Sequence, residues 1–405
     1  MGNRSSGAGW FAPPQRGLCQ QVYVGRPVLT RPAEGPAGLI WPYRILVLTV
    51  MVDEIRMTNH HRLTGLQHVR AVLDAREAAL SPLAAREAGS AGRARPEPAD
   101  PFRGAYQVDR DRIIHTRAFR RLKHKTQVFV HPDSDHVVTR MTHTIEVQQV
   151  ARTIARALNL NEDLTEAIGL GHDLGHTPFG HAGEETLAAL LPGGFRHNEQ
   201  SLRIVDLLEH GGDGLNLMAE TREGILKHSK TRESVAAEAW GFASTLEGQI
   251  VKLADSIAYL NHDIEDAIRA ELITESDLPR EVHAVLGRTH SARIATLVGD
   301  CVVASTETFE GVTPRITLGA DVLAATDALR EFMFTRVYLH ESTLADARRG
   351  QLVVEALYRH YEAHPEEIGG FSLPDDPAWR RAADYVSGMT DGYAVDRARA
   401  LRLIG

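Results

Sequence analysis

Three segments of this chain repeat apolar residues at intervals of three and four; in two of them the stripe includes a histidine, and in the third an aspartate lies on the face opposite the stripe. In HTIEVQQVARTIARAL, residues Val147, Val150, Ala151, Ile154 and Leu158 fall on one helical face, and His143 sits four residues before Val147 on the same stripe. NEDLTEAIGLGHDLGH opens with Asn161 as a cap and with acidic residues in its first turn. Its stripe runs through Leu164, Ala167, Ile168 and Gly171 to His172, so that imidazole is aimed inward too. The Thr177-Pro178 pair predicts that this helix ends near His176, because a residue before proline disfavours helical geometry. The third segment, LEGQIVKLADSIAYLNHDIEDAIRA, has a core stripe of Ile250, Leu253, Ala254, Ile257, Leu260, Ile264 and Ile268. Lys252, Asp255, Tyr259 and Asp263 are expected on its opposite face.

The same period covers residues 109–270 and continues beyond 275 in ARIATLVGDCVVAST, LREFMFTRVYLH and RRGQLVVEALYRHYEAH. No repeat of 20 to 50 residues and no train of alternating β segments interrupts it, so an all-α fold with at most a small β element is expected. Residues 1–60 are rich in Gly, Pro and Arg and lack a period. They read as a tail or an over-long translated start, with Met51 and Met57 as candidate initiators. Residues 61–105 read as an N-terminal helix and a loop, whose breaker-rich stretch GSAGRARPEPADPFRG at 89–104 is of the kind that is often functional or mobile.

Composition narrows the partners. A net charge of -8 gives no global basic field, so tight nonspecific nucleic-acid binding is not implied, although a local basic cleft stays open. Cys19 and Cys301 lack any C-x-x-C spacing, which argues against a disulfide framework and fits a cytoplasmic protein. The longest apolar stretch, LIWPYRILVLTVMV at 39–52, is broken by Pro42 and Arg44 and is shorter than the roughly 20 residues a membrane helix needs.

A buried carboxylate beside His172 costs several kcal/mol unless it is paired or bound to metal, so Asp173 demands a partner. His143 points inward from the preceding helix and Asp255 comes from a third. Two neutral imidazoles and two hard oxygens suit a six-coordinate Mn, Fe, Co or Mg ion with open positions better than a closed structural zinc. A single inward histidine is more often an ordinary core residue; the combination is what carries weight.

His143, the HD pair at 172–173 and Asp255 resemble the H…HD…D signature of the HD-domain metal-dependent phosphohydrolases. More narrowly, YQVDRDRIIHTRAFRRLKHKTQVF, TRMTHTIEV, GHDLGHTPFGHAGE, RHNEQSLRIV, LKHSK and LADSIAYLNHDIEDA, in that order, resemble the bacterial deoxyguanosinetriphosphate triphosphohydrolase-like proteins. The resemblance implies an HD core over 106–270. It also implies that the C-terminal helices of 271–405 complete the nucleotide pocket and the oligomer contacts. The implied reaction takes a deoxynucleoside triphosphate (dNTP), dGTP or dNTPs generally, to a deoxynucleoside and inorganic triphosphate. The implied metal ligands are His143, His172, Asp173 and Asp255.

Among the remaining residues, His176 lies one turn after His172, placed to donate to the α-phosphate or the leaving 5′ oxygen. Glu184 follows His181 by three residues, a spacing at which a carboxylate orients an imidazole, and in the family the matching pair is a base or nucleophile-positioning dyad. Glu184 is equally a first-turn acid favoured by the helix dipole. Arg140 is the candidate for gripping a phosphate, and Lys252 meets the phosphate tail. By resemblance alone, Tyr259 stacks on the sugar, Asp263 binds the 3′ hydroxyl, Gln127 contacts the sugar, and His197 and Asn198 lie near the site. The basic stretch RDRIIHTRAFRRLKHK at 110–125 is either a solvated basic helix or an anion-binding wall for substrate or effector. Family members are commonly homo-oligomers, and some bind activating nucleotides or single-stranded DNA. The competing functions are another HD-domain phosphohydrolase, such as a nucleotidase or guanosine tetraphosphate hydrolase, and a catalytically silent nucleotide sensor.

Overall fold

The helix that starts at Arg140 is capped by Thr139, whose side chain accepts from Thr142 N, and it buries Val147, Val150, Ala151 and Ile154 as the sequence period requires. It belongs to a computed structural model that describes residues 67–127, 138–229 and 241–405, all within the unit Arg62–Gly405. Readings that fall on residues 1–66, including the over-long start, lie outside the described residues.

The helices are α1 (67–78), α2 (Ala105–Ile114), α3 (Arg117–Arg121), α4 (Arg140–Ala157), α5 (Glu162–Gly171), α6 (Gly180–Leu190), α7 (His197–Arg203), α8 (Ala219–Lys227), α9 (Leu246–Arg269), α10 (Arg280–Val285), α11 (His290–Phe309), α12 (Ala320–Met333), α13 (Glu341–Ala363), α14 (Ala378–Ser387) and α15 (Asp391–Ala400). Among the described residues no strand forms. The β element reduces to two isolated bridges, Arg93 with Met218 and Thr126 with Thr139. The expected all-α architecture is what is found. No helix of the described residues is long and apolar enough to cross a membrane.

Helices α4, α5 and α9 pack on one another and supply the main core, joined by α11 and α12. A second core lies between α6, α13, α14 and α15, and a third gathers Ile113, Leu122, Ala167, Leu174 and Ile225. Helix α9 departs from the two-faced expectation. Lys252 and Asp263 are buried along with the apolar stripe, whereas Glu265 and Arg269 face water, because neighbours pack around most of its circumference. Asp255 and Tyr259 alone of the expected face stay half-open.

The second departure concerns α5. It starts as expected, with Asn161 Oδ1 accepting from Asp163 N and Leu164 N. It stops at Gly171, five residues before the proline rule placed the end. The cause is tertiary. Gly175 N donates to Ser201 Oγ at 2.8 Å, and Ser201 Oγ donates to His172 O at 2.7 Å, so α7 takes the groups that a further helical turn would use.

The basic stretch at 110–125 is not one helix. Thr116 caps α3 by accepting from Phe119 N and divides the stretch in two. Arg110 pairs with Asp111 and Glu166, and Arg112 with Glu97, while Lys125 is buried with Nζ on Ser387 O and His176 O. Arg117, Arg120 and Lys123 remain exposed. The loop at 89–104 is fastened through Arg93, which pairs with Asp109 and donates to Asn216 O.

Candidate active site

The inward stripe of α4 delivers His143, the end of α5 delivers His172 and Asp173, and the half-open line of α9 delivers Asp255. His143 Nε2 lies 3.3 Å from Asp255 Oδ1 and 3.8 Å from Asp173 Oδ2, and His172 Nε2 lies 3.4 Å from Asp173 Oδ1. The four residues named from the sequence therefore meet at one point. His143, His172 and Asp255 each offer a ligand atom within 4.8 Å of the others, and so do His172, Asp173 and His228.

The tautomers favour a cation there. His172 Nδ1 donates to Gly169 O at 2.7 Å, which leaves the Nε2 lone pair free, and that buried atom has no partner. His143 Nδ1 sits 2.9 Å from His262 Nε2, and His262 Nδ1 sits 3.0 Å from Asp263 Oδ1. In the tautomer in which His262 Nε2 is the acceptor, His143 donates through Nδ1 and presents Nε2 to the carboxylates. Burial pushes the His143 imidazole down to about 4, so it is neutral near pH 7. Burial raises the Asp173 carboxyl, but its neighbours more than offset that, among them the Arg140 guanidinium that donates to Oδ2, and hold the group well below the usual carboxylate range.

A second group of imidazoles adjoins the first. His176 stacks on His197 with centroids 3.9 Å apart, and its Nε2 lies 3.3 Å from Asp173 Oδ1. Burial and then Arg140 hold His176 well below its ordinary value, so it is neutral. His197 Nδ1 lies 3.0 Å from both Glu184 oxygens, and its backbone N–H donates to the same carboxylate at 2.8 Å. His228 donates through Nδ1 to Ile225 O, so its Nε2 accepts from His197 Nε2 at 3.0 Å. With a proton on each nitrogen, His197 is an imidazolium: burial lowers it, but the charge and hydrogen bond of Glu184 together with the charge of Asp173 raise it above its ordinary value. Glu184 is correspondingly held well below its ordinary value: burial pushes it up, but His197 and the other imidazoles around it more than reverse that push.

Glu184 is thus hydrogen-bonded to His197 and not to His181, the partner that sequence spacing suggested. His181 is exposed, with its ring 5.7 Å from that of His176. Arg140 is fully buried and donates from Nη1 to Asp173 Oδ2 at 2.9 Å, while its Nε and Nη2 have no protein partner. Gly180 marks how close this guanidinium comes to Gln127. At φ +56, a Cβ on it would fall 2.8 Å from Gln127 O and 3.1 Å from Arg140 Nη2. The Gln127 side-chain oxygen is buried and unpartnered. Asn198 donates to Leu226 O at 2.6 Å and so ties α7 to α8. Lys252 is buried with Nζ 5.6 Å from the centre of the Phe242 ring. Tyr259 lies 5.8 Å from Tyr338, whose hydroxyl donates to Asp263 Oδ2 at 2.6 Å.

Sequence reading missed His228, His262 and Tyr338. His262 follows Asp255 by seven residues, two turns on, and that spacing could have found it. His228 and Tyr338 come from segments whose own period gives no such sign. Tyr338 closes a π-helical turn, Phe334–Tyr338, at the end of α12.

The HD domain family matches residues 140–260, and the phosphohydrolase-associated domain matches 316–400. A deoxyguanosinetriphosphate triphosphohydrolase-like protein of Caldanaerobacter subterraneus subsp. tengcongensis is 50% identical over 321 residues, covering 78% of this chain and 90% of that protein. A protein of the same description from Clostridium perfringens is 46% identical over 310 residues, covering 76% and 89%. The chain belongs to the deoxyguanosinetriphosphate triphosphohydrolase-like family of HD-domain proteins. In this HD-domain protein the four gathered residues and Tyr259 all fall inside the HD match. The 2.6 Å bond from Tyr338 to Asp263 joins the phosphohydrolase-associated region to the helix that carries Asp255.

Proposed function

We propose that the protein hydrolyses deoxynucleoside triphosphates, dGTP or the dNTPs as a class, to a deoxynucleoside and inorganic triphosphate. The observation that carries this reading is the convergence of His143, His172, Asp173 and Asp255 beside the Glu184–His197 ion pair. The orphaned His172 Nε2, the neutral His143 and the two carboxylates fit a divalent cation, Mn, Mg, Fe or Co, which when bound supplies a Lewis acid for the α-phosphate.

The rest is the work of the chain itself. Arg140 keeps Nε and Nη2 as buried donors beside Asp173, the arrangement that grips a phosphate oxygen. Lys252, on the same helix as Asp255, adds a second positive charge for the phosphate tail. Hydrolysis adds a water oxygen to the α-phosphorus and breaks its bond to the 5′ oxygen. One proton leaves the water and one reaches the departing oxygen. Glu184, kept ionised by His197, accepts the proton from the water, with His181 orienting that water; His176 donates a hydrogen bond to the α-phosphate, and a second water supplies the proton that the 5′ oxygen takes up. Tyr259 packs against the deoxyribose and would crowd a 2′ hydroxyl, with Gln127 on the sugar and Asp263, anchored by Tyr338, on the 3′ hydroxyl. His197 and Asn198 hold α7 in place behind these groups.

The test is product identification for each of the four dNTPs, singly and mixed, with Mn²⁺ or Mg²⁺ in ¹⁸O-labelled water. The expected products are triphosphate carrying the label and an unlabelled deoxynucleoside. Pyrophosphate or phosphate as the sole inorganic product, or label in the nucleoside, overturns the bond assignment.

A further inference from the structure

Helix α13 ends on a group of side chains that the reaction above does not use. His360 and His364 lie one turn apart at its C-terminal end, so their rings share a face, with centroids 5.1 Å apart. The chain then turns through Pro365–Glu367 and brings two carboxylates back to the same place. His360 Nε2 lies 3.0 Å from Glu367 Oε2, and His364 Nδ1 lies 3.4 Å from Glu366 Oε1. One ligand atom each from His364, Glu366 and Glu367 falls within 4.8 Å of the others.

We propose that His360, His364, Glu366 and Glu367 form a second divalent metal site, separate from the HD cluster and selective for a transition metal of the zinc, cobalt or nickel class. Two imidazoles with two carboxylates give an N₂O₂ set, which suits these ions; Mg²⁺ and Ca²⁺ take oxygen-rich shells and hold water. Two ionised carboxylates match the charge of a dication. The C-terminal end of α13 adds its partial negative charge, which favours a cation. Two cations stand nearby and oppose it: Arg397 Nη2 is 4.0 Å from Glu367 Oε2, and Arg381 Nη2 donates to Pro365 O at 3.4 Å. Arg397 is turned toward Tyr361, whose hydroxyl accepts from its Nε. In the unbound arrangement a proton lies between His360 Nε2 and Glu367 Oε2, and a metal ion would replace it. Binding there clamps the end of α13 to the following turn, in the region that matches the phosphohydrolase-associated domain.

His364, Glu366 and Glu367 are exposed and His360 is part-buried at the surface, outside the buried core, so the ligands can be changed without opening it. Metal-stripped full-length protein is titrated with Co²⁺, followed by its visible absorption, and with Zn²⁺ by calorimetry, in excess Mg²⁺. The wild-type chain is expected to bind one equivalent more than the His360→Ala/His364→Ala double variant, and Glu367→Gln is expected to weaken that equivalent. Asp255→Ala is expected to retain it, and so is the wild type whatever reaction the HD cluster performs. Equal stoichiometry in the wild type and the double variant overturns the proposal, as does displacement of the extra equivalent by Mg²⁺. Should Asp255→Ala not fold, the comparison of wild type with the double variant decides alone.

Discussion

Nδ1 of His143 lies 2.9 Å from Nε2 of His262, with both rings buried to about one part in a hundred. His172 fixes its tautomer on a backbone carbonyl, but His143 depends on this side chain and, behind it, on Asp263. Outer partners of this kind hold a ligating imidazole in orientation. His262→Ala is expected to weaken divalent-metal binding about 10–100-fold while leaving the helical content unchanged. Manganese titration followed by electron paramagnetic resonance reads the affinity; an unchanged value would show that packing alone orients His143.

Tyr338 reaches the same chain from the other side, donating to Asp263 Oδ2 at 2.6 Å. Hydrogen bonds to a charged acceptor contribute about 1.5–3 kcal/mol, so Tyr338→Phe should lower stability by an amount of that order. Metal affinity should stay the same, because the His262 contact uses the other oxygen, Oδ1. Denaturant unfolding alongside the metal titration separates this variant from His262→Ala. A matching loss of metal affinity would mean that the hydroxyl positions the whole relay.

What the sequence disclosed and what it hid follow from the range of the forces involved. His143 and His172 were legible because each extends a local apolar stripe, and the stripe decides which way a helix faces. Asp255 was legible as part of α9, yet the burial of Lys252 and Asp263 was not, because it depends on neighbours far away in sequence. The same holds for Glu184: a three-residue spacing pointed to His181, but the approach of α7 offers both the backbone N–H and the ring of His197. His228 and Tyr338 contribute one side chain each from segments with no local sign of it.

The Glu184–His197 pair has a pH signature. Glu184 is depressed in the folded state, so its contribution is present above the ordinary 4.5 and is lost as pH falls through the depressed value. His197 is raised, so its contribution is full below the ordinary 6.5 and is lost as pH rises through the raised value. The pair therefore stabilises most between 4.5 and 6.5. Glu184→Gln should lower the melting temperature most in that window, and the gap to wild type should narrow as the solution is made alkaline. Thermal unfolding across pH 5 to about 9 measures it; a gap that widens with pH would show that His197 is neutral in the fold.

Gly175 is the point at which α5 is stopped by α7, and it offers a test of how the two imidazole groups are held together. A Cβ there would fall 2.2 Å from Ser201 N, 2.3 Å from His197 O and 2.6 Å from Gln200 C. All three are backbone atoms of α7, so no side-chain rotation relieves the contact and the helix itself must shift. Overpacking of this kind costs roughly 1–3 kcal/mol or more. The shift carries His197 away from His176, whose stacked ring is 3.9 Å distant, and loosens Ser201 from His172 O. Gly175→Ala should therefore lose both stability and metal affinity, although it removes no ligand. Gly299→Ala is the control: that residue lies exposed in α11 with nothing within 4 Å of a Cβ, and helix propensity predicts a gain of up to about 1 kcal/mol. Equal unfolding midpoints for Gly175→Ala and wild type would mean that α7 is free to move, and the close junction between the two helices would not be what sets the site.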